Sequence, residues 1–358
     1  MGANQPVTSS VTNFAIPRIA IQQRLLLISL ITTPLSASFA TELTEPIEPG
    51  FSGYVQASAL ISESKSLSGV SDDNETIDSL NQRADSVTRA LPILLFELNY
   101  GFENQQTQLY VGTPEDNITE GNPLFEIGIR HQLKDGTLLT AALLPKMPGF
   151  DEVWQDPYQT GAKRKETDAQ MEGFYFASDY ILGGPVSLRY AFAQLDVDKE
   201  RSGQSLINQP SGITAEESKQ LQRDADIHQV QLDFTLPLMH YRLFVVPSLL
   251  YTTAEADGAA FDFDRWGLEL HTLYTTNALE LTAGVSYASS KYDTRHPVFN
   301  RTREDDRVSA LAGIGFIEPF NWQNIRLDAM VSYSERDSNI AFYDSDSTMA
   351  MVGIAYSF

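Results

Sequence analysis

Residues 227–236 read Ile-His-Gln-Val-Gln-Leu-Asp-Phe-Thr-Leu, and from Val230 onward every second side chain is apolar. Successive side chains of a strand point to opposite sides. Val230, Leu232, Phe234 and Leu236 therefore share one face, and Gln229, Gln231, Asp233 and Thr235 share the other. The pattern returns along the chain. In 278–289, Leu279, Leu281, Val285 and Tyr287 oppose Glu280, Thr282, Gly284 and Ser286. In 324–334, Ile325, Leu327, Val331 and Tyr333 oppose Arg326, Asp328 and Ser332; in 123–133, Phe125, Ile127, Ile129 and Leu133 oppose Glu126, Gly128, Arg130 and Gln132. The summed apolar face is too large to leave in water, so it must meet lipid or another sheet. The charged face argues for lipid, because an unpaired charge buried between two sheets costs several kcal/mol.

Fourteen such runs can be marked: 51–62, 91–102, 106–113, 123–133, 137–146, 170–182, 185–197, 227–236, 241–253, 263–275, 278–289, 306–317, 324–334 and 348–358. Each is roughly the ten residues that a tilted membrane strand needs. Their connections alternate in length. Glu103-Asn104-Gln105, Lys134-Asp135-Gly136, Gly183-Gly184, Pro237 to His240 and Thr276-Asn277 are tight, and Glu318 to Gln323 is little longer. Segments 63–90, 147–169, 198–226, 290–305 and 335–347 are long and polar, with 114–122 and 254–262 shorter. Short turns at one rim and long loops at the other, with an even strand count, predict an all-β fold. It is a transmembrane antiparallel up-and-down β-barrel of about 14 strands, twelve or sixteen being the alternatives, and 51–358 form one domain. No apolar run reaches the ~18 residues of a membrane-spanning helix.

Residues 1–40 contain no Asp or Glu. Arg18 and Arg24 precede the apolar run Leu25 to Ile31, and Ser38 and Ala40 stand where a signal peptidase expects small residues. This reads as a secretory signal peptide cut after Ala40, with 41–50 a short lead. At the other end, Ala350, Val352, Ile354, Tyr356 and Phe358 alternate with Met349, Met351, Gly353, Ala355 and Ser357. Tyr54, Tyr100, Phe102, Tyr180, Tyr241, Tyr251, Trp266, Tyr274, Tyr287, Phe316, Trp322, Tyr333, Tyr356 and Phe358 lie near strand ends, as in the aromatic girdles of a membrane barrel. There is no cysteine, which excludes disulfides, thiolate metal sites and a Cys nucleophile. A net charge of −22 disfavours nucleic-acid binding.

Gly353, Tyr356 and Phe358 resemble the C-terminal assembly signal of bacterial outer-membrane β-barrels, although Met351 departs from its polar preference. Pro49-Gly50-Phe51-Ser52-Gly53-Tyr54-Val55, taken with Gly353-Ile354-Ala355-Tyr356-Ser357-Phe358, resembles an uncharacterised family of such barrels known only as a domain of unknown function. The resemblance implies the fold and a bacterial outer-membrane location. Outer-membrane lipid, lipopolysaccharide and the barrel-assembly machinery are then the expected partners. The short turns place both mature termini in the periplasm. The resemblance supplies no activity and no functional residues.

Function must come from the polar face. The expected inner wall carries Glu97, Glu126, Asp179, Asp233, Glu269, Glu280 and Asp328, with Arg130, Arg189, Arg242, Arg265, Arg326 and His271. These groups could form opposed walls that orient solutes, or a structural ion-pair ladder. The reading is a porin-like monomeric channel for passive diffusion of small hydrophilic solutes. The alternatives are a closed barrel with a structural or surface-binding role, and an outer-membrane hydrolase. Lys163-Arg164-Lys165 is the dense basic cluster, read as a solvated loop tip, as a contact to lipopolysaccharide phosphates, or as an anion filter folded into the mouth. Asp72-Asp73-Asn74-Glu75 and Glu304-Asp305-Asp306 lack the spacing of an EF-hand loop. The histidines, His131, His228, His240, His271 and His296, stand in no hydrolase motif. No catalysis, cofactor or metal is expected.

Overall fold

The structure, a computed structural model, describes residues 47–114, 124–146 and 152–358. The signal-peptide expectation for residues 1–40 lies outside them.

Among the described residues there are sixteen strands: β1 (Gly50–Ser66), β2 (Ser86–Gly101), β3 (Thr107–Gly112), β4 (Glu126–Gln132), β5 (Leu138–Leu144), β6 (Glu152–Trp154), β7 (Glu166–Asp179), β8 (Val186–Val197), β9 (Ala225–Phe234), β10 (Leu236–Leu238), β11 (Leu243–Ala256), β12 (Phe263–Thr275), β13 (Leu279–His296), β14 (Arg301–Ile317), β15 (Ile325–Ser338) and β16 (Ser345–Ser357). The short β6 pairs only with the outer end of β7, and β10 continues β9 across Thr235 as one stave. What remains is a closed antiparallel barrel of 14 strands. Each strand pairs with its sequence neighbours, and β1 pairs with β16 from Tyr54↔Ser357 to Ser66↔Ser345. All fourteen expected runs are strands.

The two faces separate as the alternation requires. On β9, Leu232 is 45% exposed and Gln231 is 0% exposed. On β16, Val352, Ile354 and Tyr356 are exposed, whereas Met351 and Ala355 are buried. The exposed face is an apolar belt. At the long-loop rim its edge is drawn by tyrosines that donate to carboxylates one row further out: Tyr251 to Asp264 at 2.6 Å, Tyr287 to Asp306 at 2.8 Å and Tyr333 to Glu335 at 3.0 Å. A phenol with its ring in an apolar layer and its hydroxyl in a polar one is suited to that boundary. Tyr54 is an exception among the expected girdle aromatics. It points inward, 4% exposed, and its hydroxyl donates to the Thr113 carbonyl.

Several strands are longer than expected. β13 and β14 run far past the belt and meet in a hairpin at 297–300, so most of the expected loop 290–305 is sheet. Beyond the belt both faces are polar, so the alternation fades while the backbone ladder continues. At the other rim, the turns rely on residues with left-handed backbone, among them Tyr180, Met239, His240, Tyr241 and Glu318.

Gly353 lies at the closing seam. A Cβ there would stand 2.5 Å from Ser58 Oγ and 2.7 Å from Gln56 Nε2 on β1. Gln56 is 0% exposed and cannot swing into solvent. Gly353→Val is therefore expected to cost roughly 1–3 kcal/mol by overpacking. The measurement is the temperature at which the folded band shifts in heat-modifiability electrophoresis, which should fall.

Candidate functional site: the barrel interior and its cap

The expected wall residues take the following places in the structure. Glu97, Glu126, Asp179, Arg189, Asp233, Arg265 and His271 are all buried on the inner face. Arg242 is exposed. It has the inward parity of β11 but lies in the turn before that strand begins. Its carbonyl accepts from the Thr275 amide at 2.8 Å, and its side chain never enters the barrel wall.

The charges are paired locally. Arg130 Nη1 lies 3.2 Å from Glu97 Oε1 and 3.1 Å from Gln108 Oε1, with its guanidinium 3.9 Å above the Tyr110 ring. Glu126 accepts from Tyr110 at 2.8 Å and from Tyr175 at 2.7 Å. Arg326 Nε meets Asp328 Oδ1 at 2.8 Å, and both line a cavity of about 30 Å³ with Glu280, Thr282, Gly313 and Met351. On β9, Gln231 donates to Asp233 at 2.9 Å; Glu269, level with Asp233 across Ser248, stands 3.8 Å from His271.

Sequence reasoning missed two further features of the interior. One is an aromatic and alanine band inside the wall: Tyr110, Tyr175, Ala177, Ala191, Ala193, Ile227, Phe263 and Tyr292. Guanidiniums stack on it, Arg189 over Tyr175 at 4.7 Å and Arg265 over Phe263 at 4.7 Å. Such stacking holds a cation in place while its edge stays free to hydrogen bond. The other feature is a set of arginines at the long-loop end, Arg303, Arg307 and Arg336. Two of these fell in expected loops, where inward parity could not be assigned.

The long loops form a cap. Leu67, Ile77, Tyr158, Ile213, Leu221, Ala260, Ile340, Phe342 and Tyr343 pack into one buried cluster. These residues come from the connections after β1, β5, β8, β11 and β15. The loop after β8 also holds a short helix, α1 (Ala215–Lys219), capped by Thr214 and Glu217. Tyr158 follows β5, and His296 ends β13. Going round from β5, β13 is reached in six steps, through β7, β8, β9, β11 and β12. Six of fourteen is almost the opposite wall. Tyr158 Oη nevertheless lies 3.0 Å from His296 Nε2 and 2.7 Å from Tyr343 Oη, so these contacts cross the mouth.

Polar cross-links tie the loops together. Arg164 is 1% exposed and donates to the carbonyls of Leu67 and Pro157 at 2.8 and 3.0 Å, and to that of Asn74. Its guanidinium lies 4.3 Å from the Trp154 ring. Burial holds it below the usual range, at about 10. The basic cluster is therefore not one solvated tip: Arg164 is a buried strut, and Lys163 pairs with Glu75. Asp156 accepts from the amides of Gly203 and Ser205 at 2.9 and 2.8 Å. Arg223 pairs with Glu200 at 2.6 Å and donates to the Trp154 carbonyl at 2.7 Å. The acidic run Glu304 to Asp306 is divided between two faces. Asp305 is held inside by Arg303, and Asp306 accepts from Tyr287 outside.

An apolar belt around a closed sheet, a charged inner wall and loops gathered over one mouth define a transmembrane β-barrel of the outer-membrane type. The chain belongs to the family described as Protein of unknown function (DUF2860), which matches residues 50–357. Among solved structures it is similar to the CymD monoaromatic hydrocarbon channel at 10% identity and TM-score 0.44, covering 95% of this chain and 94% of that one. A FadL homologue of Pseudomonas aeruginosa follows at 12% identity and TM-score 0.40, covering 86% and 90%. OmpT, an outer membrane protein of Vibrio cholerae, has 10% identity and TM-score 0.40, covering 88% and 100%. No curated protein matches the chain.

Two outcomes test the cap. Arg164→Met leaves three buried carbonyls without their donor and is expected to destabilise the cap by roughly 2–4 kcal/mol. Hydrogen exchange in 67–80 and 152–165 should rise while the strands stay protected. The second concerns His296, which lies beyond the belt. Its Nδ1 accepts from the Val298 amide at 3.3 Å, so the neutral ring carries its proton on Nε2. Burial, and then the charge of Arg303, push it down to about 3 from an ordinary 6.5. The unfolded cap binds the proton first. Its contribution is complete above about pH 6.5 and is lost as pH falls toward 3, at about 1.4 kcal/mol per pH unit. Loop exchange should accelerate over that window, and His296→Gln should flatten the dependence.

Proposed function

We propose that the protein is a channel for passive diffusion of small hydrophilic solutes across the outer membrane, with its mouth capped in this conformation. The carrying observation is the state of the inner wall. Gln231 Oε1, Asp233 Oδ2, Glu269 Oε2, Asp328 Oδ2 and Arg307 Nη1 are buried polar atoms that have no hydrogen-bond partner within the protein. A dry, side-chain-filled interior pairs such atoms, and leaving them unpaired costs about 1–3 kcal/mol each. Such atoms favour a wet interior over one packed with side chains. A barrel of fourteen strands lies between the eight that fill with side chains and the sixteen that leave an aqueous channel.

The second reading, a closed barrel with a structural or surface-binding role, is favoured by the cap. An outer-membrane hydrolase has less support: the rings of His131, His228 and His296 bond to Thr107, Tyr190, and Tyr158 with Tyr343, none of which is a serine nucleophile.

Planar-bilayer recording of the refolded mature protein separates the two. The channel reading expects salt-dependent conductance steps, with open time raised at least several-fold in Arg164→Met. Folded protein that gives no steps in either form would leave the closed barrel.

A further inference from the structure

The inner face carries a pair of like charges with no acid between them. On the inner face at the long-loop end, the strand registers set two rows side by side. One row runs Arg265 on β12, Ser290 on β13, Asp305 on β14 and Ser338 on β15. The next runs Gly267, Ala288, Arg307 and Arg336 on the same four strands. Arg307 and Arg336 are therefore direct cross-strand partners on one face. Side chains so placed are within about 5 Å at Cβ, and like charges there repel.

The local acid does not resolve this. Asp305 is taken by Arg303, which reaches its two oxygens at 2.9 and 2.5 Å. Arg336 uses its Nε on the Tyr343 carbonyl at 2.8 Å, and Arg265 uses its Nε on Ser290 Oγ at 2.7 Å. Arg307 Nη1 is buried and meets no protein acceptor. The charges of Arg265 and Arg336 act against that of Arg307, and Asp305 and the Tyr292 phenol act in its favour. The neighbouring acids Asp306, Glu335 and Asp337 have the opposite parity and face outward. Next to Arg307 in its own row stand the small residues Ala288 and Gly267.

We infer that Arg307 and Arg336, flanked by Arg265, form a binding site for a small oxyanion, a carboxylate or a phosphate, on the lumenal wall beneath the cap. Two guanidinium forks on directly paired positions of one face suit an anion with two or more oxygens, which also removes their mutual repulsion. The inward face selects the source. Lipopolysaccharide phosphates lie outside the wall, so the ligand is a free solute. The site also touches the cap, since Arg336 is tied to the Tyr343 carbonyl and Arg303 lies 3.6 Å from the Tyr343 ring. As a point on a transport path it rests on the channel reading; as a binding site it does not.

The test is made in non-ionic detergent, where binding is read without conduction. The folded mature protein is titrated with inorganic phosphate, with succinate and with sodium chloride at matched ionic strength, following thermal unfolding and isothermal heat. Saturable binding of phosphate or succinate is expected, and which of the two binds more tightly tells a phosphorylated solute from a carboxylate. Arg307→Gln and Arg336→Gln should each weaken it by at least about tenfold. Arg307→Gln should be no less stable than the parent without ligand, because it removes a repulsion; Arg307→Lys keeps the charge and should bind more weakly than the parent. A shift that never saturates, is matched by chloride and persists in both Gln variants would overturn the site. Binding with no conductance in the bilayer would keep the site and sink the channel reading instead.

Discussion

Every backbone N–H and C=O in the hydrocarbon layer must find its partner inside the protein, because lipid offers none. The rest of the structure depends on that. A sheet answers it only by closing, and the β1–β16 ladder from Tyr54↔Ser357 to Ser66↔Ser345 is where it closes. Closure by consecutive antiparallel neighbours makes the strand number even and brings Gly50 and Ser357 to one rim. It also divides every strand into a lipid side and a lumen side. Gly353 shows how tightly the seam is made: its missing side chain is the space into which Gln56 fits.

With the outer face given to lipid, all chemistry is confined to the inner face and the loops. The inner face has two levels. Toward the short turns, charges are neutralised in pairs, as in Glu97 with Arg130 and Asp328 with Arg326. Near the capped mouth the balance turns cationic, with four guanidiniums around Asp305. That excess sits in a chain whose net charge is −22. At that level Asp306, Glu335 and Asp337 face outward, so the two sides of the wall near the mouth carry opposite signs.

The cap joins these levels to the outside. Its apolar cluster is small and is drawn from several loops, so no loop could bury its own contribution alone. Arg164, Asp156 and Arg223 supply the directed bonds that apolar packing lacks, and all three bridge loops that are distant in sequence. Because Tyr158 reaches His296 across the mouth, the cap acts as one unit.

The barrel was legible in the chain because a lipid-facing strand must alternate, and alternation survives in the sequence without knowledge of any neighbour. Val230, Leu232 and Phe234 could face only outward once Gln231 and Asp233 were placed. Where the environment ceased to be two-sided, that legibility ended. Strand β13 beyond Ser289 is largely polar on both faces and read as loop. Arg242 had the right parity but no strand to carry it, and Tyr54 was assigned to the girdle although its hydroxyl is needed inside. The arginine site had no linear signal at all, since Arg265, Arg307 and Arg336 are neighbours only through ladder register. The sequence by itself determined the staves, their faces and the two rims, since these follow from a period of two and the thickness of a bilayer. The tertiary structure alone decided the cap and the convergence of the arginines, because both are contacts between segments that only closure of the sheet brings together.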